Sequence, residues 1–360
     1  MKTSMAREKA SRRRVLFERV TSVSRTFSIS LLWLPEAVRE EVALAYLLAR
    51  ISDTISDAPA DWTAERRIDV LRIMQQAFDD PARIDRVVVA VEECCQLWLP
   101  PKGNGLSSPT ERKALAEAGR WLRHMHALEE MDRRLVGSTL HTILSGQIWD
   151  LQRFGAPSFS RRPIESATWA ELEEYQYAVA GCVGKFWTEI CGRKLPVYTQ
   201  KSMDALSKLG VEFGKGLQLV NILRDRREDL DRGRCYIPLA ERTVCLPDDG
   251  VHQRLFDASV PLLKIARRQL MAGLSYAARL IGFRVRFVVL VPALLGLRTL
   301  DLLCAAGHTA LEERLKVGRD DVRSILFRAA FLAINPSALL RELLRERLTA
   351  RKADKGWRES

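Results

Sequence analysis

The chain has 360 residues, 47% of them hydrophobic, and a formal net charge of +12. That is enough for one large domain or two small ones with a sizeable core, and the positive excess points to an anionic partner: a nucleic acid, an acidic membrane surface or a phosphorylated substrate. Seven cysteines, an odd number with no CxxC pair and no Cys/His cluster, argue against a zinc site and read as reduced thiols of a cytosolic protein.

The elements follow in chain order. The opening "MKTSMAREKASRRRVLFERV" is basic and lacks the apolar core of a signal peptide; residues 1–14 read as a flexible basic tail. "LPEAVREEVALAYLLARISDTISD" predicts a long helix, with Pro35 at its first position and acidic residues in its first turn. "LPPKGNGLSSP" and "FGAPSFSRRP" read as loops. Between them His124 and His126, two apart, point different ways on a helix and read as surface residues. "TWAELEEYQYAVAGCVGKFWTEICG", "LSKLGVEFGKGLQLVNILRDRREDLDRG" and "SVPLLKIARRQLMAGLSYAARLIG" carry the same helical periodicity, with "CLPDDG" a further loop. The apolar run Phe287 to Leu297, bounded by Arg286 and Arg298, is too short to span a bilayer. In the final segment Leu340, Leu344 and Leu348 form one stripe among arginines. It fits a membrane-surface anchor or a helix packed on the domain. Residues 353–360 read as a second flexible tail. The fold expected is all-α, one domain over 1–360 with roughly ten or more helices.

Two of these helices carry polar stripes. Positions i, i+4, i+7 and i+11 share a helix face. Tyr46, Arg50, Asp53 and Asp57 hold that spacing on a helix apolar on nearly every other side. Gln218, Asn221, Asp225 and Asp229 are spaced i, i+3, i+7 and i+11 on the later helix, with Glu228 beside them. A single DxxxD is usually a solvated face. Two pairs, each continuing a polar line on an apolar helix, call for a bound charge, because burying unpartnered carboxylates costs several kcal/mol. Hard divalent cations fit, since Mg²⁺ takes one or two carboxylates plus phosphate oxygens. Arg25, Arg50, Arg224 and Arg234 lie in or near these segments, and guanidinium forks suit phosphate. The expectation is a helical cavity that binds a diphosphate through Mg²⁺, with the two acidic edges meeting there.

"SRTFSISLLWLP", "YLLARISDTISD", "YQYAVAGCVG" and "LQLVNILRDRREDLDRGRCYIP" resemble the four signature blocks of the squalene/phytoene synthase family, with a weaker echo in "LKVGRDDV". The resemblance implies an isoprenoid-synthase-type helical bundle around a central cavity, in which two aspartate motifs hold Mg²⁺ and substrate diphosphates. It implies Asp53 and Asp57 as the first motif and Asp225 and Asp229 as the second, supported by Gln218, Asn221 and Glu228. Tyr46 and Arg50 correspond to polar residues upstream of the first motif. Ser24, Arg25 and Phe27 line the phosphate end, and Arg224, Arg234, Lys316 and Arg319 belong to the substrate-binding set. Tyr175 lies beside the reacting carbons, as a proton-removal assistant or as a core tyrosine. Two positions depart from the pattern. Ser56 stands where the family usually has Glu, which removes one possible ligand, and Gln147 stands where Met is commoner, so Asp150 receives no role.

The chemistry implied is ionisation of an allylic diphosphate, attack by a second prenyl diphosphate and a cyclopropyl intermediate in a dry cavity. The second and third blocks resemble the squalene branch: two farnesyl diphosphates condense through presqualene diphosphate, and NADPH reduces the product to squalene. No Rossmann signature accompanies this; the glycines of "GKGLQL" lie inside a helical pattern. Phytoene or dehydrosqualene synthesis is the alternative on the same scaffold. A basic helical membrane-surface or nucleic-acid-binding protein is the alternative of another class, but no nucleic-acid module is present and no nucleic acid is expected. The expected place is the cytoplasm, peripheral on the inner face of the membrane through the basic C-terminal helix, as a bacterial type without a hydrophobic anchor.

Overall fold

The structure is a computed structural model. It describes residues 2–23, 31–58, 62–97, 109–156, 163–244, 250–307 and 315–356, and their side chains except at 2–10, 94, 96, 97 and 349–356. Fourteen α-helices and one two-residue antiparallel ribbon occupy these residues. They group into two compact units, Met1–Ala156 and Pro157–Ser360.

The first unit comprises α1 (Lys2–Val23), α2 (Glu36–Ser56), α3 (Ala64–Asp79), α4 (Ile84–Leu97), α5 (Pro109–Ala116), α6 (Ala118–His126) and α7 (Glu130–Phe154). α2 is its centre and packs against α1, α3 and α7. Its Leu44, Leu47, Leu48, Ile51 and Ile55 are buried, as its nearly all-round apolar sequence demands. Pro35 stands one position earlier than expected, as the N-cap with extended ψ, and the helix begins at Glu36.

Two sequence expectations change here. Residues 2–14 are the first turns of α1, not a loose tail, and Arg13 Nε donates to Glu40 Oε2 at 2.6 Å. His124 is buried, with Nε2 2.9 Å from Glu40 Oε1. A helical i, i+2 pair cannot share a face, so only one of the two histidines turns so far inward; half-buried His126 meets the Ala77 carbonyl. Burial works against the Glu40 charge, but hydrogen bonds from His124 and Arg13 prevail and lower its pKa to about 2. A depressed carboxylate pKa adds stability that is complete above the unfolded value of 4.5 and is lost as pH falls toward 2. The Glu40→Gln variant is therefore expected to lose about 3 kcal/mol at neutral pH. Its stability should be flatter between pH 5 and 2 than that of the wild type, measured by denaturant titration across that range.

In the second unit a short ribbon pairs β1 (Ile164–Glu165) with β2 (Thr243–Val244). The helices are α8 (Trp169–Gln176), α9 (Cys182–Lys194), α10 (Met203–Asp231), α11 (Val251–Ala277), α12 (Phe283–Ala306), α13 (Arg319–Ile334) and α14 (Pro336–Gly356). Residues 353–356, expected as tail, end α14 because its helical repeat runs on, and 357–360 lie outside the described residues. Thr168 and Glu171 form a reciprocal capping box that starts α8. A π-helical turn, Tyr177–Gly181, joins α8 to α9.

α12 extends beyond the run expected from sequence, because the helix continues through Arg286 and Arg298 rather than stopping at them. Its 24 residues and hydropathy of 2.0 make it the one helix among the described residues long and apolar enough to cross a membrane. It nevertheless serves as core, packed against α10, α11 and α13, with 61% of its most apolar window buried. Arg298 pairs with Asp321 at 3.1 Å, and Arg286 Nε donates to the Leu280 carbonyl at 2.9 Å. Among the described cysteines, Cys95, Cys182, Cys191, Cys235 and Cys304 are free thiols.

Candidate active site

The first acidic stripe occupies the last three turns of α2. Tyr46, Arg50, Asp53 and Asp57 are each half-buried, while Leu47, Leu48, Ile51 and Ile55 around them are buried. Arg50 Nη1 donates to Asp53 Oδ2 at 2.5 Å, and Arg50 Nη2 donates to Glu111 of α5. Burial disfavours the Arg50 charge, but Asp53, Glu111 and Tyr46 raise its pKa overall. Asp57 is the C-cap, and its N–H reaches the Asp53 carbonyl at 2.9 Å. Just beyond, Arg67 is wholly buried. Its Nη1 donates to the Ser56 carbonyl at 2.9 Å and its Nε to the Trp62 carbonyl at 3.1 Å. A cation at the carbonyl end of α2 suits the helix dipole and holds the end that carries Asp57.

The second stripe lies on α10. Gln218, Arg224, Asp225, Glu228 and Asp229 are half-buried and Asn221 is exposed. Arg224 grips Asp225 with both arms, Nε to Oδ1 at 2.8 Å and Nη2 to Oδ2 at 2.5 Å. That hydrogen bonding raises the Arg224 pKa against burial, with help from Glu228 and Asp229. Just past the C-cap Arg232 stands Gly233, whose φ of 82° is the left-handed conformation that "DRGR" supplies. Gly233 N–H returns to the Leu230 carbonyl at 3.0 Å and Arg234 N–H to the Asp229 carbonyl at 2.8 Å. This paired turn delivers Arg234 to a buried position directly after the second motif.

Tyr175 of α8 stacks on buried Tyr236, with centroids 4.9 Å apart and planes 12° apart. Lys215 of α10 donates to Glu173 Oε1 at 3.0 Å and ties α8 to the acidic helix. Glycines close the crossing of α9 and α10. A Cβ at Gly184 would lie 1.9 Å from the Gly210 carbonyl oxygen, and one at Gly214 would lie 2.3 Å from the Ala180 carbonyl oxygen. The block "YQYAVAGCVG" thus combines a stacked tyrosine, a π-turn and a close helix contact.

Ser24, Arg25 and Phe27 lie outside the described residues. Lys316 and Arg319 are exposed at the entry to α13, with no ion pair among the described residues. Asp150 is buried on α7. Sequence reading missed Glu111 and Lys215, whose partners Arg50 and Glu173 are distant in the chain, and Arg67, whose partners are main-chain carbonyls 5 and 11 positions earlier. Tyr236 was legible in principle, since it sits inside the quoted block two positions after Arg234.

Among the described residues no group of three or more His, Cys, Asp or Glu side chains converges on a closed metal site. Each stripe instead offers a half-buried pair of carboxylates one helical turn apart. That donor set fits Mg²⁺, which commonly takes one or two carboxylates and completes its shell with water and phosphate. The glycines of "GKGLQL" do not fit a dinucleotide site. A Cβ on Gly214 meets Ala180, and a Cβ on Gly216 meets Gln269 and Leu270, so both are used in helix packing.

An all-α architecture with aspartate-bearing apolar helices defines the class: an isoprenoid-synthase-type fold. The squalene/phytoene synthase profile matches residues 20–321, and the chain belongs to that family of divalent-metal-dependent prenyltransferases. It is similar to a phytoene synthase of Thermus thermophilus, 35% identical over 120 residues, or 30% of this chain and 38% of the relative. It is also similar to a presqualene diphosphate synthase of Sinorhizobium fredii, 29% identical over 175 residues, or 47% of this chain and 60% of the relative. The matches span between 31% and 38% of the length of the first three curated relatives. Among solved structures, a complex of TcSQS with the ligand BPH1237 shares the fold with a TM-score of 0.71 at 20% identity, covering 94% of this chain and 90% of that one.

Proposed function

We propose that the chain is a squalene synthase, condensing two farnesyl diphosphates head to head through presqualene diphosphate and yielding squalene with NADPH as reductant. The observation that carries the prenyl-transfer reading is the pair of acidic stripes, each with an arginine fork already engaged on a carboxylate. The squalene product draws support from the resemblance of "YLLARISDTISD" and from the presqualene diphosphate synthase relative. Phytoene synthesis is the second reading, because phytoene synthases are prominent among the curated relatives.

Asp53, Asp57, Asp225 and Asp229, with Asn221 and Glu228, would hold Mg²⁺, which would supply positive charge to the diphosphate leaving group. Arg50 and Arg224 exchange their carboxylate partners for phosphate oxygens when the diphosphate arrives, a trade of one charge-assisted fork for another. Arg25, Arg234, Lys316 and Arg319 add positive charge around the phosphates, and Ser24 and Phe27 line the same end. Tyr175, held flat by Tyr236, offers its ring face to an allylic cation and its hydroxyl to the departing proton. No residue is assigned to NADPH.

The test is incubation of the purified protein with farnesyl or geranylgeranyl diphosphate and Mg²⁺, with and without NADPH, followed by mass spectrometry of the organic extract. Squalene that requires NADPH is the expected result. Phytoene from geranylgeranyl diphosphate moves the reading to the second one, and no hydrocarbon or cyclopropyl diphosphate under any condition removes both.

A further inference from the structure

The last two helices carry an apolar face that the reaction does not use. On α13, Phe327, Phe331 and Ile334 are spaced i, i+4 and i+7. On α14, Leu340, Leu344 and Leu348 are spaced i, i+4 and i+8. All six are between 53% and 78% exposed. Both helices are nevertheless firmly seated by their other sides. Ile325, Ala329 and Leu332 are buried where α13 packs on α12. Leu339, Leu343 and Glu346 are buried where α14 packs on α11, and Arg267 reaches Glu346 at 3.2 Å. Asn335 Oδ1 accepts from the Ala338 N–H at 2.9 Å to start α14, and Arg328 of α13 pairs with Glu342 of α14. The outward stripes are therefore a fixed feature of this end of the unit. Single exposed apolar residues need no explanation, but six in two ordered stripes on consecutive helices mark an interaction surface.

We propose that this face docks on an anionic lipid bilayer. The surrounding charge selects that partner. Arg341, Arg345 and Arg347 flank the leucine stripe, Arg323 stands one turn before Phe327, and all four are exposed. The sequence continues with Arg351, Lys352 and Lys355, and the whole chain carries +12. A bilayer satisfies both kinds of side chain at once. Leucine and phenylalanine enter the acyl boundary, while the long arginine stems let the guanidinium groups reach headgroup phosphates. A second copy docked about a two-fold axis would set this arginine-rich face against itself.

The experiment is vesicle flotation of the full chain with phosphatidylcholine vesicles and with phosphatidylcholine/phosphatidylglycerol vesicles, at low and high salt, alongside light scattering. The protein is expected to float with the anionic vesicles only, and less at high salt. The Phe331→Asp/Leu344→Asp variant should lower the partition coefficient at least about tenfold, since each side chain contributes more than one decade of burial energy. Arg341→Glu/Arg347→Glu should abolish the preference for anionic lipid. Unchanged circular dichroism and melting temperature show that the variants fold, as expected for exposed positions. Equal flotation with neutral vesicles overturns the proposal, as does flotation unaffected by either variant. A dimer that splits in Phe331→Asp/Leu344→Asp without any vesicle binding also overturns it and identifies a second copy as the occupant.

Discussion

Replacing Asp53 or Asp225 by alanine is expected to abolish hydrocarbon formation, with a loss of at least about a thousandfold in turnover, while the helical fold persists. Asp53 is only half-buried and sits on the last turns of α2, where the packing is done by Ile51 and Ile55. Its removal also leaves Arg50 paired to Glu111. The stability change should therefore stay within about 1 kcal/mol, read by thermal melting. Catalysis has no such reserve. The leaving diphosphate carries several negative charges, and a carboxylate that positions a counter-cation acts where that charge develops. Added Mg²⁺ should not rescue the variants. If both stripes serve one step, the double variant should be no slower than either single one, because residues that act as a unit are not additive. Wild-type rates in either single variant would contradict the metal role.

The second large effect is structural. Gly184→Ala is expected to destabilise the second unit by about 3 kcal/mol and to bring turnover down with it. The new Cβ would lie 1.9 Å from the Gly210 carbonyl oxygen and 2.3 Å from its carbonyl carbon. Both are backbone atoms, so no rotamer change relieves the clash and the two helices must separate. Gly192 on the same helix supplies the control. Its added Cβ would meet only Met203, 2.3 Å from the terminal methyl of a flexible side chain. Gly192→Ala should be neutral or stabilising by up to about 1 kcal/mol, from helix propensity alone. Denaturant midpoints for the two variants decide the matter. If both fall together, the crossing is not the cause. Separation of α9 from α10 would also shift the π-turn after Tyr175 relative to the helix that carries Asp225, so activity should fail before unfolding is complete.

Much of this protein was legible without coordinates. Hydrophobic periodicity decided that it is helical, because an element that buries one stripe must repeat it every 3.6 residues. The same periodicity exposed the two acidic lines, since Asp53 with Asp57 and Asp225 with Asp229 break an apolar pattern at i, i+4. The glycine of "DRGR" could likewise have marked the end of α10. These are local statements, resolved within one or two turns of chain.

What only the tertiary structure decided depends on neighbours far apart in sequence. Nothing near residue 124 says that His124 turns inward; Glu40, some eighty positions earlier, makes that burial tolerable. Lys215 meets Glu173 across forty-two positions. Glu111 joins Arg50 across sixty-one positions. The outward stripe of α13 stayed hidden for the same reason: Phe327, Phe331 and Ile334 alternate with equally apolar Ile325, Ala329 and Leu332, and only the packing of α12 selects which set is buried. Composition and period state that a side chain prefers burial, whereas the contact that grants or withholds it belongs to the folded chain.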